Sequence, residues 1–258
     1  MSELAQQLIA ENKAKHARGE DASYLDLGNC GLTELPDLSG MEWLETLILS
    51  SDWSEFDVKK KDWIEVSSQN NEVGNKIEKP PLTHIHLPLL KKLVANGLGI
   101  SDWSFLGNFI NLTSLHLRFN QISDGRFLEK LTRLSLLDLS FNKMSDVRFL
   151  EKLTKLRSLN LRGNRVSDVR FLQKLTNLTS LYLGGNQISD VRFLEKLTNI
   201  TTLDLTNNQI SDVQFFGELT KLRSLYLGGN QISDLQFLEN LTKLTMLHLS
   251  GNQISDVQ

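Results

Sequence analysis

Short segments in which leucine alternates with polar residues recur along the chain every 22 residues. In one copy, Leu181 and Leu183 are flanked by Ser, Tyr and Gly, a spacing that predicts a short strand with one solvated face. Ser189 and Asp190 follow as helix N-cap residue types, and the apolar spacing over 191–197 predicts a turn or two of 3₁₀- or α-helix. Because one unit cannot bury its own leucines, the pattern predicts a stack of units that cover one another's apolar faces.

The strictest feature of the repeat is an asparagine that follows each predicted strand. It recurs at Asn120, Asn142, Asn164, Asn186, Asn208, Asn230 and Asn252, and Cys30 takes the same place in an earlier copy. Ten copies align, and only the step from Leu47 to Leu93 breaks the period, because it contains 24 extra residues. A period of this length indicates a solenoid rather than a globule around one closed core.

The run Leu-Tyr-Leu-Gly-Gly-Asn-Gln-Ile-Ser-Asp from Leu181 to Asp190 follows the frame Leu-x-x-Leu-x-Leu-x-x-Asn/Cys-x-Leu. The chain resembles bacterial 22-residue leucine-rich repeats of the internalin and phosphatase-regulator class over about residues 23 to 258, although that class usually carries Pro-Leu where this chain has Phe-Leu. The resemblance implies an α/β fold: a right-handed solenoid with a concave parallel β-sheet, and short helices or 3₁₀ turns on the convex side. It also implies that Cys30 and the seven asparagines form a structural ladder that pairs buried backbone groups.

The domain organisation follows from the repeat and its interruption. Residues 2–17 place apolar residues on one face of a predicted helix, which would shield the open edge of the first repeat. We expect an N-terminal helical cap at 1–22, repeats 1–2 at 23–54, an insertion made of a hairpin and a loop at 55–86, and repeats 3–10 at 87–258, ending without an evident C-terminal cap.

The insertion is a candidate functional element, since loops added to a regular scaffold often carry function. Trp53, Phe56 and Trp63 are aromatic residues of the kind enriched at interfaces, and they are predicted insertion contacts. The alternative is that they pin the hairpin onto the repeats.

The strand face is the predicted binding surface, because its residues differ between repeats whereas the frame residues barely change. Neighbouring strands lie about 4.8 Å apart, so one residue per strand forms a continuous row. We expect a middle patch ending at Arg162 and a second patch beginning at Tyr182, with Gly184, Gly185, Gly228 and Gly229 leaving the backbone beside the tyrosines accessible. The predicted partner contacts are His116, Arg118, Phe119, Asp138, Phe141, Asn160, Arg162, Tyr182, Asp204, Tyr226 and His248. The alternative is a solvated sheet face.

Charged residues on the opposite side predict a different surface. Arg126, Arg148, Arg170 and Arg192 each follow an aspartate by two residues. This interleaving predicts a solvated face with weak ion pairs rather than a binding site for an anion.

Composition narrows the class of function. The net charge of −3 and the pI of about 6.0 lack the basic footprint of a nucleic-acid binder. Cys30 is the single cysteine, the first residues do not resemble a signal peptide, and no apolar stretch approaches 18 residues, so we expect a cytoplasmic location without a membrane span. No nucleophile accompanied by a base and no metal-ligand set stands out, so we expect no enzyme activity, catalytic residue, cofactor or metal.

These features predict a recognition or scaffolding module that binds a protein on its concave sheet face. We expect it to belong to a larger intracellular bacterial protein, for example a signalling protein of the Roco type. Three alternatives stay open: a self-association module, forming a homodimer through its C-terminal edge, an effector or adhesin of internalin type, and a regulator of an enzyme such as a phosphatase.

Overall fold

The computed structural model describes residues 2–57, 62–77 and 85–255, and the side chains of residues 56, 57, 62 and 63 lie outside that description. The chain divides into two compact units, Met1–Ile122 and Ser123–Gln258.

The first unit combines a helix, a parallel sheet and a separate hairpin. Strands β1, β2, β5 and β6 pair in parallel in that order, whereas β3 and β4 pair only with each other, in antiparallel register. Its elements are α1 (Glu3–Ala17), β1 (Tyr24–Asp26), β2 (Thr46–Ile48), β3 (Asp52–Asp57), β4 (Asp62–Ser67), β5 (Lys92–Val94), a 3₁₀ turn (Ser104–Asn108) and β6 (Ser114–His116).

The second unit repeats one strand and one 3₁₀ turn along its whole length. Its strands are β7 (Leu136–Asp138), β8 (Ser158–Asn160), β9 (Ser180–Tyr182), β10 (Thr202–Asp204), β11 (Ser224–Tyr226) and β12 (Met246–His248). Its 3₁₀ turns are Arg126–Lys130, Arg148–Lys152, Arg170–Lys174, Arg192–Lys196, Gln214–Glu218 and Gln236–Asn240. The strands pair in parallel in chain order. Equivalent residues are neighbours in register, as Leu203 is with Leu181 and Leu225, and the expected α/β leucine-rich repeat solenoid is confirmed.

The core of each repeat consists of its frame residues. Leu159, Leu161 and Val166 are fully buried, as are Leu172 and Leu175 from the following turn. Burial of one such side chain stabilises the folded state by about 1.5–3 kcal/mol, so every repeat depends on the leucines of its neighbours.

The asparagines form a ladder along the turns. Asn186 Nδ2 donates to the carbonyl oxygens of Leu161 (3.0 Å) and Leu183 (2.9 Å), and Asn186 Oδ1 accepts from the Val166 amide (3.0 Å). Each residue therefore joins its own repeat to the preceding one through groups that are buried from water. The same pattern of bonds is found at Asn164, Asn208, Asn230 and Asn252. Asn120 Nδ2 donates to Ala95 and Leu117, and Asn142 Nδ2 donates to Leu139.

In the second repeat the ladder residue comes from the insertion. Asn75 Nδ2 donates to the carbonyl oxygens of Leu27 (2.7 Å) and Leu49 (2.8 Å), and its Oδ1 accepts from the Leu32 amide (2.8 Å). Asn186 makes the equivalent three bonds, two to the preceding repeat and one to the carbonyl oxygen of its own repeat. Asp52, which the period places at this position, instead begins β3.

Residues 52–74 lie between Ser51 and the ladder residue Asn75, so β3 begins within the range expected for repeat 2, and Ile77 follows with a buried side chain. The frame Asn-x-Ile at 75–77 is the sequence signal for this boundary. Cys30 stands at the ladder position but bonds differently: its Sγ lies 3.4 Å from the Gly28 carbonyl oxygen, and its amide donates to Asn75 Oδ1 (3.2 Å).

Helix α1 packs on the first repeat through polar contacts as well as apolar ones. Ser2 caps it by accepting from the Ala5 amide (3.2 Å). Asn12 is buried and donates to the carbonyl oxygens of Ala22 (3.1 Å) and Tyr24 (2.9 Å). These bonds pair backbone groups before and at the start of β1 and hold the helix against the edge of the sheet.

Candidate partner-binding face

The strand face of the second unit carries one row of side chains across six strands. Parallel register makes Asn160 the neighbour of Tyr182, and Tyr226 the neighbour of His248. His248 is exposed, while Asn160 and the two tyrosines are half-buried. These four side chains offer aromatic and hydrogen-bonding surface at a spacing that the backbone sets.

The two aspartates of this row have structural roles. Asp138 Oδ1 accepts from the amide (2.8 Å) and hydroxyl (2.6 Å) of Ser140. Asp204 Oδ1 accepts in the same way from Thr206, at 2.9 and 2.8 Å, and its other oxygen lies 3.6 Å from Arg162. Both carboxylates are buried and pair the end of their own strand, so they offer a partner little surface.

Two phenylalanines of the predicted site adopt a left-handed backbone. Phe119 in the first unit (φ 55°) and Phe141 in the second (φ 54°) precede the ladder asparagine, where other repeats have glycine or Asn207. A β-carbon in this conformation costs about 1 kcal/mol or more. Phe119 is nevertheless 54% exposed, and the Arg118 guanidinium lies 4.5 Å from its ring centre. The Phe119 ring therefore lies at the surface and does not belong to the core, although its backbone is left-handed.

Gly184 and Gly228 do not open the backbone to a partner, contrary to the expectation from sequence, whereas Gly185 is exposed. A β-carbon at Gly184 would lie 2.6 Å from Thr206 Oγ1 and 3.0 Å from the Asp204 carboxylate. One at Gly228 would lie 2.7 Å from the His248 ring. Neighbouring side chains therefore fill this space, and the glycines are needed for packing between strands.

The insertion hairpin covers the strand face of the first unit. Trp53 of β3 is buried against Ile48 of β2 and Val94 of β5, and Val66 of β4 packs on the same cluster. Ile48 and Val94 occupy the row that carries polar and aromatic side chains in the second unit, and this cover explains their apolar character. The burial of Trp53 agrees with the pinning alternative. Phe56 and Trp63 have side chains outside the described part of the chain, so their predicted contacts stay predictions.

Polar groups complete this cover. The Trp53 indole N–H donates to Glu55 Oε1 at 2.6 Å, Lys92 Nζ donates to the same oxygen, and Lys92 also lies 5.5 Å from the indole ring centre. His116 in the same row is only 1% exposed. Burial, together with the Lys92 cation, lowers the pKa of His116 to about 4, while the Glu55 carboxylate opposes this shift. His116 is therefore a neutral packing residue at ordinary pH rather than an exposed contact.

The opposite side of the second unit carries paired charges, as the sequence predicts. Arg148 Nη2 lies 2.6 Å from Asp146 and Arg192 Nη2 lies 2.5 Å from Asp190; Asp190 is half-buried and the other three side chains are exposed. The hydrogen bonds from these arginines lower the pKa of Asp146 and of Asp190 to about 2. Exposed pairs of this kind stabilise a fold little, so this face is a solvated surface.

The described residues contain neither a candidate metal site nor a candidate membrane-spanning helix. Within residues 2–57, 62–77 and 85–255 no group of three or more His, Cys, Asp or Glu side chains is arranged to hold a metal ion. No helix in the same ranges has the length and apolar character needed to cross a bilayer.

Comparison with protein families identifies the repeat. The profile described as Leucine Rich repeats (2 copies) matches overlapping stretches between residues 110 and 258, more than half of the chain. No curated protein matches the chain in sequence.

Solved structures with the same fold include bacterial and plant proteins. Internalin InlF of Listeria monocytogenes is 29% identical, with a TM-score of 0.75 over 91% of this chain and 62% of its own. Internalin C2 of the same organism is 37% identical, with a TM-score of 0.63 over 64% of this chain and 73% of its own. The Arabidopsis receptor kinase HAESA, solved with the peptide hormone IDA and the co-receptor SERK1, is 27% identical, with a TM-score of 0.58 over 66% of this chain and 31% of its own. The chain thus spans less than two thirds of InlF and about a third of HAESA.

Proposed function

Because the chain belongs to the leucine-rich repeat family, we propose that it is a protein-recognition module whose partner binds the strand face of the second unit. The observation that carries this proposal is the accessible row of Asn160, Tyr182, Tyr226 and His248, with Arg162 beside it. In the first unit the hairpin covers the corresponding row, which leaves the second unit as the accessible part of the face.

The predicted contact residues separate into two groups. The carboxylates of Asp138 and Asp204 already accept hydrogen bonds from Ser140 and Thr206, and His116 is buried. We therefore leave these three residues out of the proposed contact set. The proposed contact set in the second unit is Phe141, Asn160, Arg162, Tyr182, Tyr226 and His248, whereas Arg118 and Phe119 belong to the first unit and stay separate predictions. Aromatic residues and arginine are the types that most often dominate binding energy at interfaces.

The mechanism is presentation of pre-positioned side chains. The leucine core and the asparagine ladder hold each strand, so little conformational entropy is lost when a partner binds. The HAESA structure, which contains a peptide hormone, supports the idea that a face of this fold can hold a polypeptide.

A site-specific photo-crosslinker tests this proposal. Benzoylphenylalanine in place of Tyr226 should give a covalent adduct in an extract of the source cells, whereas the same group in place of Arg170 on the opposite side should give none. The variant Tyr182→Ala with Tyr226→Ala should keep the melting temperature and lose the adduct formed from position 160. Equal adducts from positions 226 and 170 would contradict binding at the strand face.

Self-association through β12 is a second candidate, because this strand exposes apolar side chains. Met246 is 51% exposed and Leu247 is 38% exposed, whereas the equivalent Leu203 and Leu225 are fully buried. Sedimentation equilibrium checks this idea: a dimer that Leu247→Asp dissociates would support it, and a monomer at all concentrations would remove it.

We further propose a cytoplasmic location within a larger signalling protein. Burial raises the pKa of the Cys30 thiol to about 11, so this free cysteine stays protonated and unreactive. A free cysteine without a disulfide is typical of proteins in a reducing compartment. The likeness to internalins InlF and C2 favours the rival role of an internalin-type adhesin or effector. Fractionation of source cells with an antibody against the chain separates the two, because an adhesin is found at the surface.

A further inference from the structure

Charge is divided between the two sides of two repeats in the second unit. In the strand-side segment 154–165 all four charged residues are basic, and in the equivalent segment 220–231 both are basic. We name Lys155, Arg157, Arg162 and Arg165 the first basic cluster, and Lys221 and Arg223 the second basic cluster. All six side chains are exposed.

Few of these cations are neutralised by carboxylates of the chain. Arg162 lies 3.6 Å from Asp204, and Lys221 donates to the amide oxygen of Asn199 (2.7 Å). For Arg157, Arg165 and Arg223 no ion pair is found among the residues that the structure describes. On the opposite side, by contrast, arginines such as Arg148 bind the aspartate of their own repeat.

The strand side therefore carries positive charge although the chain as a whole has a net charge of −3. We infer that the partner of this face is an acidic, extended protein segment whose carboxylates meet the two basic clusters. The inference rests on the proposed function and adds the chemistry of the partner to it. Guanidinium groups bind carboxylates through paired, charge-assisted hydrogen bonds, and complementary charge speeds the encounter.

The spacing of the clusters sets the spacing of the acidic groups. The first cluster flanks β8 and the second precedes β11, three strands away, which corresponds to about 14 Å at 4.8 Å per strand. An extended chain that crosses the strands covers this distance in about four residues. Tyr182 on β9 lies between the clusters and would contact an apolar side chain at the middle of the segment.

A protein fits this pattern better than a nucleic acid does. The intervening segments 176–187 and 198–209 contain Asp204 as their single charged residue, so the positive charge is interrupted. A nucleic-acid backbone favours a continuous basic track, because it presents a phosphate at every nucleotide.

Fluorescence anisotropy with defined probes tests the inference on the full chain. The probes are a labelled peptide with two Glu-Glu pairs separated by Ser-Leu-Ser, the same peptide with Gln in place of Glu, and a short oligothymidylate. We expect the acidic peptide to bind about tenfold more tightly than the Gln peptide. The variant Arg157→Gln with Arg223→Gln should remove most of this difference, and added salt should weaken binding of the acidic peptide alone.

The matched control is Arg148→Gln with Arg192→Gln, which removes the same charge from the opposite side and should leave the affinity within about twofold. Circular dichroism confirms that each variant is folded. Equal affinity for the two peptides, an equal loss in the control, or tighter binding of oligothymidylate overturns the inference.

If crosslinks from position 226 still form while the acidic peptide fails to bind selectively, the charge assignment alone is wrong. If no crosslink forms there, the proposed function itself fails.

Discussion

At the scale of single residues, the ladder asparagines show why one side-chain type recurs at one position. Asn186 satisfies two carbonyl oxygens and one amide that the turn leaves without backbone partners. A buried polar group without a partner costs about 1–3 kcal/mol, and an amide side chain presents donors and an acceptor on one short stem.

Asn186→Ala should therefore lower the free energy of unfolding by about 1–3 kcal/mol. Chemical denaturation measures the change, and the exposed neighbour Gln187→Ala serves as the control, expected to change the value by less than about 0.5 kcal/mol. A neutral Asn186→Ala variant would show that the ladder bonds do not stabilise the fold.

The left-handed backbone at Phe119 leads to a second prediction. Phe119→Gly and Phe119→Ala both remove the ring, but Ala keeps the β-carbon that is strained at φ 55°. We expect the Gly variant to be more stable than the Ala variant by about 1 kcal/mol, which thermal denaturation can resolve. The opposite order would mean that the turn does not adopt this conformation in solution.

His116 predicts a dependence of stability on pH. Its folded-state pKa of about 4 lies below the ordinary value of 6.5, so the unfolded chain binds the proton first as the pH falls. Its contribution is complete above pH 6.5 and is lost between that value and pH 4, by about 3 kcal/mol in total. His116→Val, which copies Val94 of the neighbouring strand, should remove this part of the acid destabilisation in urea titrations at several pH values. Parallel pH curves for the two proteins would contradict the assignment.

At the scale of elements, the hairpin converts part of the binding face into core. Ile48 and Val94 would be exposed apolar residues without Trp53 above them. The same insertion then delivers Asn75 to the ladder, so it is anchored at both the sheet and the turn.

Trp53→Ala should accordingly destabilise the protein by about 3 kcal/mol, since truncation of a buried Trp or Phe typically costs this much. Val73→Ala in the same insertion, where the side chain is 78% exposed, should have almost no effect on the denaturation midpoint. A small effect of Trp53→Ala would mean that the hairpin lies off the sheet in solution.

At the scale of the whole molecule, stability is shared between neighbouring repeats, so it should vary along the chain. Repeats inside the second unit have partners on both sides, whereas the residues of β12 are exposed. We expect peptides covering 178–186 to exchange amide hydrogens much more slowly than peptides covering 244–252, as measured by mass spectrometry. Equal protection of the two segments would indicate that β12 is covered in solution.

Prediction from sequence worked where the pattern is periodic. The spacing of Leu181, Leu183 and Asn186 sufficed for the strand, the turn and the family, because local geometry repeats when its residues repeat. It did not work where contacts come from distant parts of the chain. Asn75 is outside the 22-residue spacing, and the space above Gly184 depends on Thr206 of the next repeat.

The sequence by itself determined the repeat, its strands and the row of side chains on the strand face, since alternation and period dictate which way each residue points. Only the tertiary structure decided which members of that row a partner can reach. His116 is buried and senses the charge of Glu55 in the hairpin, 61 residues before it, and Asp204 accepts hydrogen bonds from Thr206, two positions further along. Accessibility depends on what packs above a side chain, and a repeat pattern contains no information on that.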